Sequence, residues 1–146
     1  MGEDEAWAFL AQSHTGIVTT LRRDGWPVAL PVWFVVLDRV IYVQTRGKKV
    51  VRARNDPRAS FLAEDGERWA ELRAVHVECV AEVVEPDESL LRRIADAIEA
   101  KYSPYRTSPS SMPAATRDVY AQAQSTIRLT PQGKLLTWDN RKLDLT

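Results

Sequence analysis

The sequence has little of the chemistry from which metal sites and covalent catalysts are built. Cys79 is the only cysteine, and His14 and His76 are the only histidines. A single cysteine excludes an internal disulfide framework and a zinc site made of several cysteines. Neither the G-x-S-x-G turn of serine hydrolases nor an H-x-x-x-H pair occurs. The sequence therefore predicts no metal site, and it offers no obvious nucleophile or general acid.

Charge of one sign and long apolar runs are missing as well. Twenty Lys and Arg balance twenty Asp and Glu over 146 residues, so the formal net charge is zero. A neutral chain is a poor candidate for general binding to nucleic acid or to membranes. No apolar run approaches the roughly 18 residues of a membrane span, and the acidic start M-G-E-D-E-A-W does not resemble a signal peptide. We expect one cytoplasmic domain, residues 1–146, with no nucleic-acid or membrane partner.

Against this neutral background, the segment between Thr45 and Pro57 is strongly basic. Its cations, with one just beyond it, are Arg46, Lys48, Lys49, Arg52, Arg54 and Arg58. Asp56 is the only acid among them. An apolar, strand-like segment precedes the run, and the sequence Asn55-Asp56-Pro57 is a helix stop signal. The pattern therefore predicts a strand, a glycine turn and a short basic helix.

Lys48 and Lys49 fall at the start of that predicted helix. Free N–H groups and the positive end of the helix dipole lie there, so each lysine is disfavoured by roughly 0.3–1 kcal/mol. An anion among them would remove this cost, and a strand, a tight turn and a helix start can cradle a phosphate. The alternative interpretation is a solvated helix face. Aromatic residues do not interleave with the cations, which argues against nucleic acid.

Alternation and turn signals predict a mainly β protein, an antiparallel barrel with flanking helices. The expected strands cover residues 16–21, 26–37, 40–45, 58–64, 70–85, 125–131 and 134–138, and helices are expected over 3–12, 87–102 and 114–124 beside the basic one. The second strand is almost wholly apolar, so we expect it to be covered on both faces. In the long fifth strand the odd-numbered side chains from Val75 onward should meet the core. The Pro- and Ser-rich residues 103–113 are interpreted as a mobile loop.

Five motifs follow one another along most of the chain. They are G-x-V-T-T with a D-G turn (16–25), P-V-W-F (31–34), a strand-final Thr with basic residues and N-D-P-R (45–58), L-R-x-V-x-V (72–77) and W-D-x-x-K (138–142). In this order they resemble the FMN-binding split barrel family, the pyridoxamine 5′-phosphate oxidase-like superfamily. That superfamily includes deazaflavin (F420)-dependent reductases.

The resemblance implies a six-stranded antiparallel Greek-key split barrel, and a homodimer with two cofactor sites at its interface. It also implies roles for particular residues. The phosphate would be held by Thr45, Arg46, Lys48 and Lys49, and the isoalloxazine ring would face backbone groups of Pro31, Val32 and Trp33. Trp138 and Lys142 would reach the cofactor of the partner chain. Trp69 could cover a cofactor edge, and Ala74 stands where the true oxidases carry a flavin-contacting glutamine.

The function implied is an FMN-dependent oxidoreductase that transfers hydride between the cofactor and a small conjugated redox substrate. F420 is the alternative cofactor, and its polyanionic tail would use Arg52 and Arg54. Vitamin-B6 oxidase activity is not expected, because the C-terminal R-L-x-D-R signature and the glutamine are both absent. Tyr102, Tyr105 and Tyr120 are open candidates for the acceptor pocket.

Two further classes of function stay open. One is a non-catalytic flavin- or haem-binding module, or a stress-related split barrel. The other is an empty barrel whose basic groove binds another anion or a protein.

Overall fold

The computed structural model of this chain describes residues 1–145, so Thr146 of the predicted domain lies outside the described residues. Its helices are α1 (Glu3–Gln12), α2 (Lys48–Asn55), α3 (Glu88–Tyr102) and α4 (Ala114–Tyr120). Its strands are β1 (Gly16–Leu21), β2 (Pro27–Val32), β3 (Val35–Leu37), β4 (Val40–Thr45), β5 (Arg58–Asp65), β6 (Arg73–Val84), β7 (Ser125–Pro131) and β8 (Leu136–Asp139). Single 3₁₀ turns cover Trp69–Glu71, Ser103–Tyr105, Pro109–Ser111 and Asn140–Lys142.

The strands form one curled antiparallel sheet in the order β2-β1-β5-β6-β7-β4-β3. The long strand β6 pairs with β5 along one edge, and with both β8 and β7 along the other. The predicted class, an antiparallel β-barrel with flanking helices, is confirmed. The expected number of strands was wrong, because residues 1–145 contain eight strands rather than six.

The core lies inside the curl of this sheet. Val75, Val77 and Ala81 of β6 are buried, which confirms the prediction that the odd-numbered side chains face inward. Phe61 of β5 also fills the interior, and Gly16 lies directly against it. A Cβ atom at residue 16 would stand 2.0 Å from Phe61 Cζ, so only glycine fits at the start of β1.

The extra strand arises from a break in the predicted strand 26–37. At Phe34 the backbone leaves the ladder: its N–H donates to the Tyr102 hydroxyl at 2.9 Å, and its carbonyl oxygen accepts from Lys101 Nζ at 3.1 Å. Side chains of α3 thus replace strand partners, and β2 ends at Val32 while β3 begins at Val35. Pro31, one residue before the end of β2, has no backbone N–H and cannot donate a hydrogen bond to a neighbouring strand.

We also expected both faces of this strand to be buried, and for the single chain this prediction is wrong. Pro27, Ala29 and Pro31 of β2 are exposed, and only Val32 is buried. The alternation shows that one face of β2 lies on the outside of the barrel. The predicted start of the fifth strand is corrected as well, because residues 69–71 form a 3₁₀ turn before β6.

Two helices close the barrel near opposite ends of β6. Helix α1 buries Ala6, Phe9 and Leu10, and the Arg73 guanidinium at the start of β6 lies 4.9 Å from the centroid of the Phe9 ring. Helix α2 buries Val50 and Ala53 in the same core.

Helix α3 packs outside the barrel, where Ile94 joins Val35 and Tyr42 in a second core cluster. Asp87 caps the start of this helix, because its Oδ1 accepts a hydrogen bond from the Leu90 N–H at 2.8 Å. None of the helices within residues 1–145 combines the length and the apolar character needed to cross a membrane.

Candidate functional site

The predicted phosphate residues come together where β4 ends and α2 begins. Thr45 closes β4 opposite Ser125, and Gly47 then turns the chain with φ of 77° and ψ of −143°. This positive φ favours glycine, because a side chain would be strained there. Lys48 and Lys49 follow as the first residues of the helix. The basic segment therefore folds as its sequence predicts.

The start of α2 lacks the groups that usually neutralise a helix N-terminus. Its first turn holds no acidic residue, and Gly47 provides no side-chain cap. Within residues 1–145, neither Lys48 nor Lys49 forms an ion pair or a side-chain hydrogen bond. Free N–H groups, a positive dipole end and two unpaired ammonium groups are thus concentrated at one turn.

Arg46 adds a third cation next to this turn. Its Nε atom is buried and has no hydrogen-bond partner among the described residues. Its guanidinium carbon lies 5.0 Å from the centroid of the Tyr120 ring, so α4 approaches the basic turn through this contact. A buried donor without a partner costs about 1–3 kcal/mol. An anion that accepts from this donor would remove that cost.

The remaining cations of the basic segment are arranged differently. Arg52 Nε donates to the Thr20 hydroxyl of β1 at 3.0 Å, which ties the helix to the barrel. Arg58 pairs with Asp56 at 2.7 Å, and this hydrogen bond lowers the pKa of Asp56 to about 2. Arg54 is exposed. Among residues 1–145, the cations of this segment that lack a side-chain partner therefore lie at the first turn of α2 and at Arg54.

The predicted ring-facing segment is held by a buried tyrosine at the end of α3. The Tyr102 hydroxyl accepts from the Phe34 N–H and lies 2.7 Å from the His14 carbonyl oxygen. The Trp33 ring stacks on the Tyr102 ring with centroids 4.3 Å apart and remains 43 % exposed. Pro31, Val32 and Trp33 thus lead into a turn whose backbone is fixed by α3.

Lys101 lies beside the same turn. Its Nζ donates to the Phe34 carbonyl oxygen and lies 3.8 Å from the centroid of the Phe34 ring. Burial lowers the pKa of Lys101 to about 8 and raises the pKa of Tyr102 to about 12. The sequence named Tyr102 only as an open candidate and missed Lys101. The helical spacing that ends at Tyr102 was the only signal, and it does not show what the hydroxyl contacts.

The other predicted residues lie near the opposite end of β6. Trp138 of β8 stands opposite Ala74 of β6, and it is 55 % exposed. The carbonyl oxygen of Trp69 accepts a hydrogen bond from Asn140 Nδ2 at 2.6 Å, and the Trp69 side chain is exposed. Lys142 Nζ pairs with Glu5 Oε2 at 2.6 Å, so this amine already has a partner in its own chain.

The structure therefore forms two groups of predicted residues rather than one. Thr45 pairs with Ser125 of β7, and the next residue of β7, Thr126, stands opposite Val84 of β6. Trp138 stands opposite Ala74 of the same strand β6. Ten residues of β6 separate these positions, roughly 33 Å along the strand at 3.3 Å per residue.

The described residues hold no cluster of three or more His, Cys, Asp or Glu arranged to bind a metal.

This fold and motif order define a split-barrel protein, and comparison with known proteins gives the family. The sequence profile of the pyridoxamine 5′-phosphate oxidase family matches residues 3–131, so the chain belongs to that family. No match was found among proteins of curated function.

Solved structures support this assignment. The conserved hypothetical protein Rv2991 from Mycobacterium tuberculosis is 33 % identical with a TM-score of 0.79, and the match covers 97 % of this chain and 87 % of that one. A FAD-binding protein from Mesorhizobium loti is 17 % identical with a TM-score of 0.69, and the match covers 94 % of each chain. The haem storage protein HutZ from Vibrio cholerae is 20 % identical with a TM-score of 0.65, covering 92 % of each chain. The latter two likenesses show the fold alone.

Proposed function

We propose that this chain is a flavin-dependent oxidoreductase that binds FMN with its phosphate at the first turn of α2. The observation that carries the proposal is the pair Lys48 and Lys49 at a helix start without an acid or a cap. The unsatisfied Nε of Arg46 fits the same ligand. A phosphate would accept from these donors and from the free N–H groups of the turn.

The flavin ring would lie against the backbone of Pro31, Val32 and Trp33. Tyr102 and Lys101 fix this segment through Phe34, so its polar groups are positioned before the ligand binds. When bound, the flavin supplies the hydride chemistry, and the protein binds, orients and shields it. This division of labour suits a chain whose sequence offers no obvious nucleophile.

A homodimer is part of the proposal. Trp138 and Ala74 lie too far along β6 from Lys48 to contact the same mononucleotide in one chain. The outer face that carries them presents exposed apolar residues, with Leu136 68 % exposed and Pro27, Ala29 and Pro31 of β2 exposed on the same sheet. A second copy on this face would cover it and bring Trp138 to the partner's cofactor. Leu136→Glu is expected to shift the dimer to monomer in sedimentation analysis.

F420 is the alternative cofactor. Of the two cations expected to meet its anionic tail, Arg52 is directed to Thr20 and only Arg54 is free of such a contact. This arrangement favours FMN. Titration of the purified protein with FMN and with F420, followed by cofactor fluorescence, compares the two directly. Tighter binding of F420 would replace FMN in the proposal, and no binding of either at micromolar concentration would refute it.

A non-catalytic haem-binding module is the second candidate, in view of the likeness to the haem storage protein. His76 is the histidine on the outer sheet face, where it stands opposite Leu62 and Leu136. Haemin titration of the wild type and of His76→Ala tests this candidate. A Soret band that requires His76 would favour the haem module, whereas reduction of a quinone by the FMN-loaded protein would favour the oxidoreductase.

A further inference from the structure

A cleft of about 410 Å³ opens between the end of α1 and the outer face of β1 and β5. Its floor is apolar and consists of Phe9, Ile17 and Leu62. Its rim carries hydrogen-bonding side chains, among them Thr15 and Glu64. Seven of its ten lining residues are polar or charged. Small-molecule sites combine apolar surface with polar groups that orient the ligand, and the volume of this cleft falls in their usual range.

The register of the sheet places this cleft between Pro31 of the predicted ring-facing segment and two other predicted cofactor residues, Ala74 and Trp138. Ile17 of the floor stands opposite Pro31 on one side and opposite Leu62 on the other. Glu64 of the rim stands opposite Ala74, which in turn stands opposite Trp138. Directly opposed residues share a face of the sheet. A ligand in the cleft would therefore lie beside the segment that we assign to the flavin ring. Because Ile17 and Leu62 lie in register between Pro31 and Leu136, the cleft would open at the interface of the proposed homodimer.

The charge of the cleft selects among ligands. Arg73 is the only Lys or Arg in its lining, and its Nε donates to Asp65 Oδ1 at 2.8 Å. Glu64 forms no ion pair with any residue between 1 and 145. With Arg73 neutralised by Asp65, an unbalanced carboxylate remains at the rim. This charge attracts cations and repels anions, in contrast to the first turn of α2.

We propose that this cleft binds the second substrate, a small neutral or cationic molecule with a flat apolar body, and that it discriminates against phosphorylated and other anionic compounds. The assignment of the cleft to a second substrate rests on the proposed function. The charge preference rests on Glu64, Asp65 and Arg73, and His14 is the other titratable residue of the lining.

Two probes that differ in one charged group test the preference: 1,4-naphthoquinone and its 2-sulfonate. Their dissociation constants are measured by calorimetry on the FMN-loaded protein at low ionic strength. We expect the neutral quinone to bind about tenfold more tightly, because the sulfonate would meet the Glu64 carboxylate. Glu64→Lys should reduce this ratio to about two or below. Glu67→Lys makes the same charge change on an exposed residue outside the cleft and should keep the ratio.

A second variant tests the location. Thr15 is exposed at the rim just before β1, so Thr15→Trp would fill the cleft without entering the core. We expect the quinone to bind at least tenfold more weakly, while the affinity for FMN changes less than twofold. Unchanged quinone binding in Thr15→Trp would overturn the proposal. Equal loss of FMN affinity would also overturn it, because the cleft would then hold the cofactor itself.

The failures of the two proposals are distinguishable. If the wild type binds no FMN, the proposed function falls, and with it the assignment of the cleft to a second substrate. If FMN binds but Glu64→Lys leaves the ratio of the two quinone affinities unchanged, the proposed function stands and the inference about the cleft is refuted. Circular dichroism of each variant shows that the fold is retained.

Discussion

The two ends of β6 differ in how their cations are paired. At the α1 end three cations are paired: Arg73 with Asp65, Arg141 with Asp139 and Lys142 with Glu5. At the α2 end, Lys48 and Lys49 have no acidic partner among residues 1–145, and the Nε of Arg46 is buried without a hydrogen bond. A net charge of zero therefore conceals an uneven distribution.

We propose that this difference separates charges that serve the fold from charges that serve a ligand. Paired charges hold the C-terminal turn and α1 against β6, and their partners are already satisfied. Unpaired cations at a helix start oppose the helix dipole, so the folded chain gains nothing from them. A ligand that supplies the missing negative charge would be a physical reason to keep them.

The largest expected effect is on ligand binding at the α2 end. Replacing both Lys48 and Lys49 by Ala should weaken FMN binding by at least about 100-fold, because each charge-assisted contact contributes roughly 1.5–3 kcal/mol. Fluorescence titration measures the affinity, and circular dichroism monitors the fold. The matched control is Arg23→Ala with Lys134→Ala, two exposed cations far from α2 in sequence. An affinity that falls equally in both double variants would show that only net charge matters.

At the α1 end a substitution should affect stability instead. Asn140 is buried, and its Nδ2 donates to the Trp69 carbonyl oxygen at 2.6 Å. Asn140→Ala leaves this oxygen without its donor and should lower the free energy of unfolding by about 1–3 kcal/mol, while FMN affinity stays constant. Urea unfolding measures the change, and Asn55→Ala at the exposed end of α2 is the control. Weakened FMN binding without loss of stability would contradict the division between the two ends.

Acid should weaken the α1 end through Asp139. Its side chain is 1 % exposed, and hydrogen bonds from Arg141 lower its pKa from the usual 3.8 to about 2. The folded protein keeps this carboxylate ionised at pH values where the unfolded chain is protonated. Its contribution to stability is therefore complete above about pH 4 and is lost as the pH falls towards 2.

Asp139→Asn should accordingly destabilise the protein at pH 7 and have little effect near pH 2. Urea midpoints at the two pH values measure the difference, and Asp118→Asn on the exposed face of α4 is the control. A difference between Asp139→Asn and wild type that does not shrink in acid would show that Asp139 acts through packing rather than through its charge.

Local patterns in the sequence were sufficient for most of the fold. Alternation along β6 identified the buried face, and the cluster Asn55-Asp56-Pro57 placed the end of α2 within a residue. The break at Phe34 could not be predicted, because it depends on hydrogen bonds from Tyr102 and Lys101, which lie 68 and 67 residues away. Periodicity reports local geometry and contains no information about such a distant partner.

The candidate site also contains features that the sequence predicts and features that it does not. Lys48 and Lys49 could be found because their neighbours in sequence, Gly47 and the helix itself, create the unusual electrostatics. The cleft beside Ile17 could not, because its lining comes from α1, β1, β5 and β6, and only the strand register brings these together. The pairing of Lys142 with Glu5 could likewise not be predicted from the sequence around either residue.

The smallest expected effect is also the sharpest test of the comparison, because its sign is unusual. If Lys48 and Lys49 oppose the dipole of α2, replacing both by Ala should stabilise the ligand-free protein by roughly 0.3–1 kcal/mol for each lysine, with a further contribution from the helix propensity of alanine. Lys48→Gln with Lys49→Gln removes the charges at nearly constant propensity and isolates the dipole contribution. Urea unfolding in low salt measures both double variants, and added salt should reduce the gain of the Gln variant because it screens the interaction. Saturating FMN should reverse the order, making the wild type the most stable of the three, since only the lysines gain from the bound phosphate.

A wild type that is more stable than the Gln variant without any ligand would mean that the lysines stabilise the fold by themselves, and the contrast between the two ends would no longer point to a cofactor.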